Sequence, residues 1–479
     1  MELKRKLDST LNSWSKNRKQ ALLVDGARQV GKTHTILRFA RANYSHVIYL
    51  NFAEHNEWID SFAKLPNSDT LLAVLSLYDG ANLVPHETLI FLDEIQLVYK
   101  RKEDLRKQGE DVHSYSDIVT AMKSFVEKGA YRFILSGSLL GVYINDISLD
   151  PVGYMDEVTL HPLDFEEYLW AKGVGEEAIS LLRSSFIQHT PIPDALHSRF
   201  LSLFHEYILV GGMPEAVDLY ITTENFQKVQ TAQRQIVRRY QRDITAYTEE
   251  TQTKLHIREL YDAIPSEINS KNKRFMSSHV VERKVFRNIS IEDAFLWLVK
   301  SGVAIPTYNV TEARLPLSLS SERKVLKLFY NDTGLLTSSL LDDVSCSRWL
   351  SGDIALNYGA PFENMAAQIL SASGFGDFLY YFNSKKMGEV DFLVENSGYV
   401  LPIEIKSGKA QEDLRYNHAE LDYLLQVTPD IPCAFVFGET NISSEGDKIW
   451  YYPIYLLPFL KKNDGLLRES LERHFLANS

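Results

Sequence analysis

Cysteine is nearly missing from this chain. Only Cys346 and Cys433 occur among 479 residues, which excludes a disulfide framework and a cysteine-ligated zinc site. Long apolar runs are missing too: none approaches the ~20 residues that span a bilayer, so no membrane partner is expected. The opening residues, Met1-Glu2-Leu3-Lys4-Arg5-Lys6, lack the apolar segment of a secretory signal, and a cytoplasmic location is the default expectation. There is no excess of positive charge. A formal net charge of -12 argues against a surface that coats nucleic acid throughout, yet leaves room for a local basic patch. With 45% hydrophobic and 24% charged residues, the composition is globular rather than disordered. The length exceeds one core, and about two to four domains are expected.

What is present begins with Gly26-Ala27-Arg28-Gln29-Val30-Gly31-Lys32-Thr33, which fits G-x-x-x-x-G-K-[ST] at every fixed position. The apolar run before it, residues 20–25, reads as a buried strand, and residues 34–41 read as a helix. In that context the backbone N–H groups of the loop would wrap the phosphates of ATP. Lys32 would face the β- and γ-phosphates, and Thr33 would offer its hydroxyl to Mg²⁺. A second strand, Thr88 to Leu92, ends in Asp93 and Glu94. Acids at the carboxyl end of a parallel strand are placed to serve a bound nucleotide. Asp93 would hold Mg²⁺ and Glu94 would polarise the attacking water, which favours hydrolysis over binding alone. Residues 131–138 form another strand with a polar end, where Ser136 or Ser138 would sense the γ-phosphate or simply cap a helix. Strands alternating with helices predict an α/β domain with a parallel sheet over residues 1–165.

Several further strings resemble a family of bacterial and archaeal AAA-type ATPases with a distinctive C-terminal half. They are Leu89 to Gln96, Ile134 to Ser138, Leu160 to Tyr168, Gly211-Gly212-Met213-Pro214-Glu215-Ala216, and Lys324 to Leu336. Family members carry a Gly-Arg pair before the third string; here it is Gly153-Tyr154, so the arginine's contact must come from elsewhere or be lost. The resemblance implies an ATPase domain, a helical and winged-helix middle, and a restriction-endonuclease-like α/β domain. The expected divisions are 166–225 for a helical linker or lid, 226–315 for a winged-helix-like domain, and 316–479 for the nuclease-like domain.

On the predicted helix 226–245, Arg234, Arg238 and Arg242 share a face, with Arg239 beside them. Three readings stand: an arginine completing a neighbour's ATP site through self-association or a protein partner, a grip on nucleic-acid phosphates, or a solvated face. Lys271, Lys273, Arg274, Arg283, Lys284 and Arg287 make the most basic local run. Residues 302–310 read as a short strand pair or wing, so DNA contact and protein contact are both open. The two glycines of the Gly-Gly-Met-Pro string are expected to permit close backbone approach.

Residues 388–394 and 399–406 read as a hairpin. Glu404 and Lys406 point the same way on one arm, Asp391 joins from the other, and Glu363 comes in from the helix 361–371. Three carboxylates of this kind can hold Mg²⁺ or Mn²⁺ beside a scissile phosphate, with Lys406 orienting the water. The pattern resembles the PD-(D/E)xK nuclease core. A degenerate fold kept as a binding module is the competing reading, and Glu389 is a lesser candidate ligand on the face of Asp391.

Overall fold

Five parallel strands form the sheet that carries the phosphate loop. The computed structural model describes residues 2–17, 20–80, 83–138, 153–247, 251–268, 291–351, 359–384, 388–407, 418–446 and 448–472. The chain divides into two compact units, one of Lys4–His161 with Lys300–Gly302, the other of Met1–Leu3, Pro162–Val299 and Val303–Ser479. The expected basic run at 271–287 lies within 269–290, outside the described residues.

In the N-terminal unit, β1 (Ala21–Asp25), β2 (His46–Asn51), β3 (Thr88–Asp93), β4 (Arg132–Ser136) and β5 (Met155–Thr159) lie in the order β2-β3-β4-β1-β5. All neighbours are parallel. Parallel strands are covered on both faces and so read as continuous apolar runs; β3 and β4 are buried along their whole length. The helix Lys32–Asn43 follows β1 at once, as the motif requires. The strand β5 was not legible in the sequence. Its residues Met-Asp-Glu-Val-Thr are half-buried or exposed, because it is an edge strand bonded only to β1. The helix Gln96–Lys107 was not anticipated either, being largely charged beyond its first turn. Tyr154, at the place of the family's arginine, is buried under Lys123, whose Nζ lies 5.2 Å from the ring centroid.

In the C-terminal unit an eight-stranded mixed sheet runs in the order β12-β13-β11-β10-β9-β8-β6-β7. Its strands are β6 (Ala304–Val310), β7 (Ser321–Tyr330), β8 (Tyr380–Ser384), β9 (Gly388–Asn396), β10 (Tyr399–Ile405), β11 (Ala434–Gly438), β12 (Ser443–Glu445) and β13 (Ile449–Pro453). The β9–β10 hairpin is antiparallel as expected, with Leu393 opposite Pro402 and Phe392 opposite Ile403. The expected wing at 302–310 is different. β6 pairs antiparallel with β7 and parallel with β8, so it extends the eight-stranded sheet instead of standing as a separate hairpin. Ala304, Ile305, Thr307, Asn309 and Val310 are buried, a burial that only a covered sheet provides. Segments 226–315 and 316–479 therefore share one sheet.

Three of the family strings meet in this unit. The backbone N–H of Gly212 donates to Asp332 Oδ2 at 2.5 Å, and Leu163 N–H donates to the Gly212 carbonyl at 2.7 Å. Asp332 also caps the helix Thr333–Leu340 through Leu335 N–H, 3.1 Å from Oδ1. A Cβ on Gly212 would stand 2.1 Å from the Leu163 carbonyl oxygen, and one on Gly211 would stand 2.3 Å from Asp332 Oδ1. The glycines are there because backbone and carboxylate approach too closely for any side chain. Burial raises the Asp332 carboxyl to about 6. Among the described residues no helix is long and apolar enough to cross a membrane.

Candidate functional site

The strand order decides the nucleotide site. β4 lies between β1 and β3, so its carboxyl end, Ser136, stands between the loop that follows β1 and the acids that follow β3. Gly26 has φ +132 and Gly31 φ +95, and Gly31 precedes the first residue of the helix Lys32–Asn43. A Cβ on Gly26 would lie 2.3 Å from the carbonyl oxygen of Leu160. Gln29, between them, also has positive φ, at 66. The loop path thus needs glycine at both fixed positions.

Lys32 curls into the loop. Its Nζ donates to the Gly26 and Ala27 carbonyls, both at 2.8 Å. Burial pulls the ammonium down to about 8, against the opposing pull of Glu94, Asp93 and Asp25. Thr33 Oγ1 donates to Asp93 Oδ2 at 2.6 Å, and Ser136 Oγ donates to Asp93 Oδ1. Asp93 is 1% exposed, and burial raises its carboxyl although both hydroxyls oppose the shift. A buried carboxylate gripped by hydroxyls suits a hard divalent ion, which takes oxygen donors of this kind; Thr33 and Asp93 would hold Mg²⁺.

Glu94 belongs to a second chain of contacts. It has φ +57, the turn that lifts it off the strand, and the neighbouring Ile95 N–H is tied to the Ser136 carbonyl at 3.1 Å. Ser138 Oγ donates to Glu94 Oε2 at 3.1 Å, Arg28 Nε donates to Ser138 Oγ at 3.1 Å, and Gln96 Nε2 donates to the same Glu94 oxygen. The two serines expected as alternatives bond different acids: Ser136 donates to Asp93 and Ser138 to Glu94. The sequence reading missed Gln96 and the reach of Arg28 to Ser138. The residue after next to a catalytic acid at a helix start was the available signal for the first.

Four other arginines of this unit have structural partners. Arg5 donates to the carbonyls of Val30 and His161, Arg38 pairs with Asp8, Arg101 with Asp60, and Arg132 donates to the Trp14 and Asn17 carbonyls. On the helix Phe226–Tyr247, Arg234 bonds the carbonyls of Ser338 and Leu341 at 3.0 and 3.2 Å, while Arg238, Arg239 and Arg242 are exposed.

The C-terminal sheet gathers its acids in two sets. Lys406 Nζ donates to Glu404 Oε1 at 2.8 Å, and Ile405 N–H donates to Asp391 Oδ2 at 2.9 Å. Burial and the nearby Asp391 push Glu404 up, and its Oε2 is buried without a hydrogen-bond partner. Beside them, Glu363, Glu389 and Asp391 present oxygens within 4.8 Å of one another. Asp391, Glu404 and Lys406 neighbour each other, and the carboxylates that converge with Glu363 are Glu389 and Asp391. The helix Gly359–Leu370 supplies Glu363, and Asn383 on β8, opposite Glu389, donates to Glu389 Oε2 at 2.5 Å. Lys327 Nζ donates to Glu363 Oε1 at 2.7 Å and to Glu389 Oε1 at 2.6 Å. Lys327 is 2% exposed, and the carboxylates overcome the cost of its burial and hold it protonated.

Comparison with known proteins agrees on the N-terminal unit. Residues 18–169 match an AAA domain family, and residues 201–344 and 358–457 match two domains of unknown function, DUF8612 and DUF4143. No curated protein matches the chain. Among solved structures, the Walker-type ATPase of Pyrococcus abyssi is 13% identical, covering 71% of this chain and 96% of that one, with a TM-score of 0.40. The ORC2 protein of Aeropyrum pernix is 10% identical over 74% of this chain and 94% of that one, with a TM-score of 0.30. Cdc6p of Pyrobaculum aerophilum is 10% identical over 73% and 93%, with a TM-score of 0.21. Likenesses this loose add nothing to the reading of either site. The N-terminal unit is an AAA-type P-loop ATPase domain with the residues for Mg-dependent ATP hydrolysis.

Proposed function

We propose that this chain is an ATP-driven switch whose C-terminal unit engages nucleic acid through a restriction-endonuclease-like sheet. The observation that carries the proposal is the meeting of Asp391, Glu404 and Lys406 at one end of the β9–β10 hairpin, in a chain that also holds a complete phosphate-loop network. When bound, Mg²⁺ would neutralise charge on the transferred phosphoryl group. Thr33 and Asp93 would hold it, Lys32 would meet the β- and γ-phosphates, and Glu94 would orient the water. Ser138 and Arg28 connect Glu94 to the loop itself, so nucleotide state and the position of the catalytic acid move together. The arginine that completes charge stabilisation comes from Arg238, Arg239 or Arg242, supplied within the chain or by another copy. The helices before β6 offer a second surface for DNA.

The test is ATP turnover by the purified chain with and without single- and double-stranded DNA, alongside DNA binding by the Glu94→Gln variant held with ATP. Turnover that rises with DNA supports the proposal. If DNA neither binds under any nucleotide condition nor alters turnover, the second reading takes its place: a nucleotide-switched module that contacts protein. The buried Lys327 in the acidic pocket supports at least the non-cleaving half of that reading.

A further inference from the structure

The acidic pocket of the C-terminal sheet already contains a cation that belongs to the chain. Lys327 leaves β7 and lies over the Tyr381 ring of β8, with Nζ 4.8 Å from the ring centroid. Its ammonium then sits 2.7 Å from Glu363 Oε1 and 2.6 Å from Glu389 Oε1. Asp391 completes the trio, its ligating oxygen within 4.8 Å of theirs. Two further contacts of the trio are also made inside the protein: Glu389 Oε2 accepts from Asn383, and Asp391 Oδ2 accepts from Ile405 N–H.

Divalent ions bind carboxylate oxygens at about 2.0–2.6 Å. An ion on Glu363 Oε1 and Glu389 Oε1 would therefore have to stand where the ammonium stands. The pocket as built does not fit the metal that a nuclease core would use there. We infer that Lys327 is the resident cation of this pocket, and that Glu363, Glu389 and Asp391 take no divalent ion while it is in place. An ammonium can balance the carboxylates and hold their geometry. It cannot supply the open coordination position from which a metal activates water. The trio is thus a charge-balanced support for the sheet end that carries Glu404 and Lys406, and phosphodiester cleavage does not run through it. The significance of this rests on the nuclease-like reading above, but the measurement does not.

The experiment is Mn²⁺ titration of the full chain, followed by electron paramagnetic resonance. An Asp93→Asn background keeps the nucleotide site from contributing. With Lys327 present, Glu363→Gln and Glu389→Gln should leave Mn²⁺ affinity unchanged within about twofold, whereas loss of a true ligand or its support costs roughly 10–100-fold. Lys327→Met should create a site that Glu389→Gln then removes. The inference is overturned if Mn²⁺ binding to the Lys327 protein drops tenfold or more in either glutamine variant. A Lys327→Met protein that is folded by circular dichroism yet gains no Mn²⁺ site overturns it too. If Lys327→Met does not fold, the two glutamine variants decide alone. Absence of DNA binding alongside the expected Mn²⁺ results would remove the nucleic-acid reading and leave this one standing.

Discussion

Raising the pH from 7 to 9 should weaken ATP binding about tenfold, and Lys32 is the reason. Buried in its loop, its ammonium titrates near 8. Phosphate oxygens stabilise the charged form, so the bound state holds its proton to higher pH. At pH 7 about nine-tenths of the free protein carries the proton, and at pH 9 about one-tenth, so the dissociation constant rises about tenfold, or ~1.4 kcal/mol. Below pH 7 the dependence flattens. The groups that face Lys32 and set this value are Glu94, Asp93 and Asp25, which raise it, and Arg28, which lowers it. The assay is isothermal titration with a non-hydrolysable ATP analogue from pH 6.5 to 9.5. Lys32→Arg is the control, because a guanidinium does not titrate in this range. A flat profile in the natural protein, or an equal slope in Lys32→Arg, refutes the reasoning. The same shift has a stability consequence of fixed sign. The folded value lies below the unfolded one, so burying the charge costs stability at neutral pH, and stability without nucleotide rises between about pH 8 and 10.5.

Glu94→Gln should bind ATP normally and lose at least ~100-fold in turnover, measured by phosphate release against analogue affinity, because only the water-positioning carboxylate is removed. Arg28→Ala and Ser138→Ala should each lower turnover by roughly tenfold or more, with the double variant no worse than the poorer single one, since both act on Glu94 through one chain of bonds. Gly212→Ala should destabilise the C-terminal unit by about 1–3 kcal/mol or more in thermal unfolding, as its Cβ meets the Leu163 carbonyl oxygen at 2.1 Å. Gly80→Ala, with open space around it and φ +71, should cost only about 1–2 kcal/mol from the left-handed backbone.

The nucleotide site was legible because its parts are local. A strand, eight loop residues and a helix start state their geometry in sequence order, and the acids of β3 announce themselves at the end of an apolar run. The pairing of Ser136 with Asp93 and of Ser138 with Glu94 needed the strand order, which puts β4 between β1 and β3. The acidic pocket was only half legible. Period-two alternation placed Asp391 and Glu389 on one face of their strand, with Glu404 and Lys406 meeting that face from the partner arm. Nothing local shows that Lys327, on a different strand, is the group that fills the pocket. The wing was misread for the same reason: Val310 of β6 pairs with Phe382 of β8, a partner too distant in sequence for a hairpin pattern to suggest.

That strand pairing sets where the protein can be cut. A fragment beginning at residue 316, where the expected domain division falls, would keep β7 and β8 and discard β6, which bonds to both. Two strands would then present bare edges, the usual start of aggregation. The same fragment would lose Gly212, leaving the buried Asp332 carboxylate short of a donor. A fragment meant to keep this sheet whole must therefore retain β6 and the Gly212 segment as well as the residues after 316. The sheet's completion during synthesis must also wait for β8, because β6 has no inner neighbour until that strand exists.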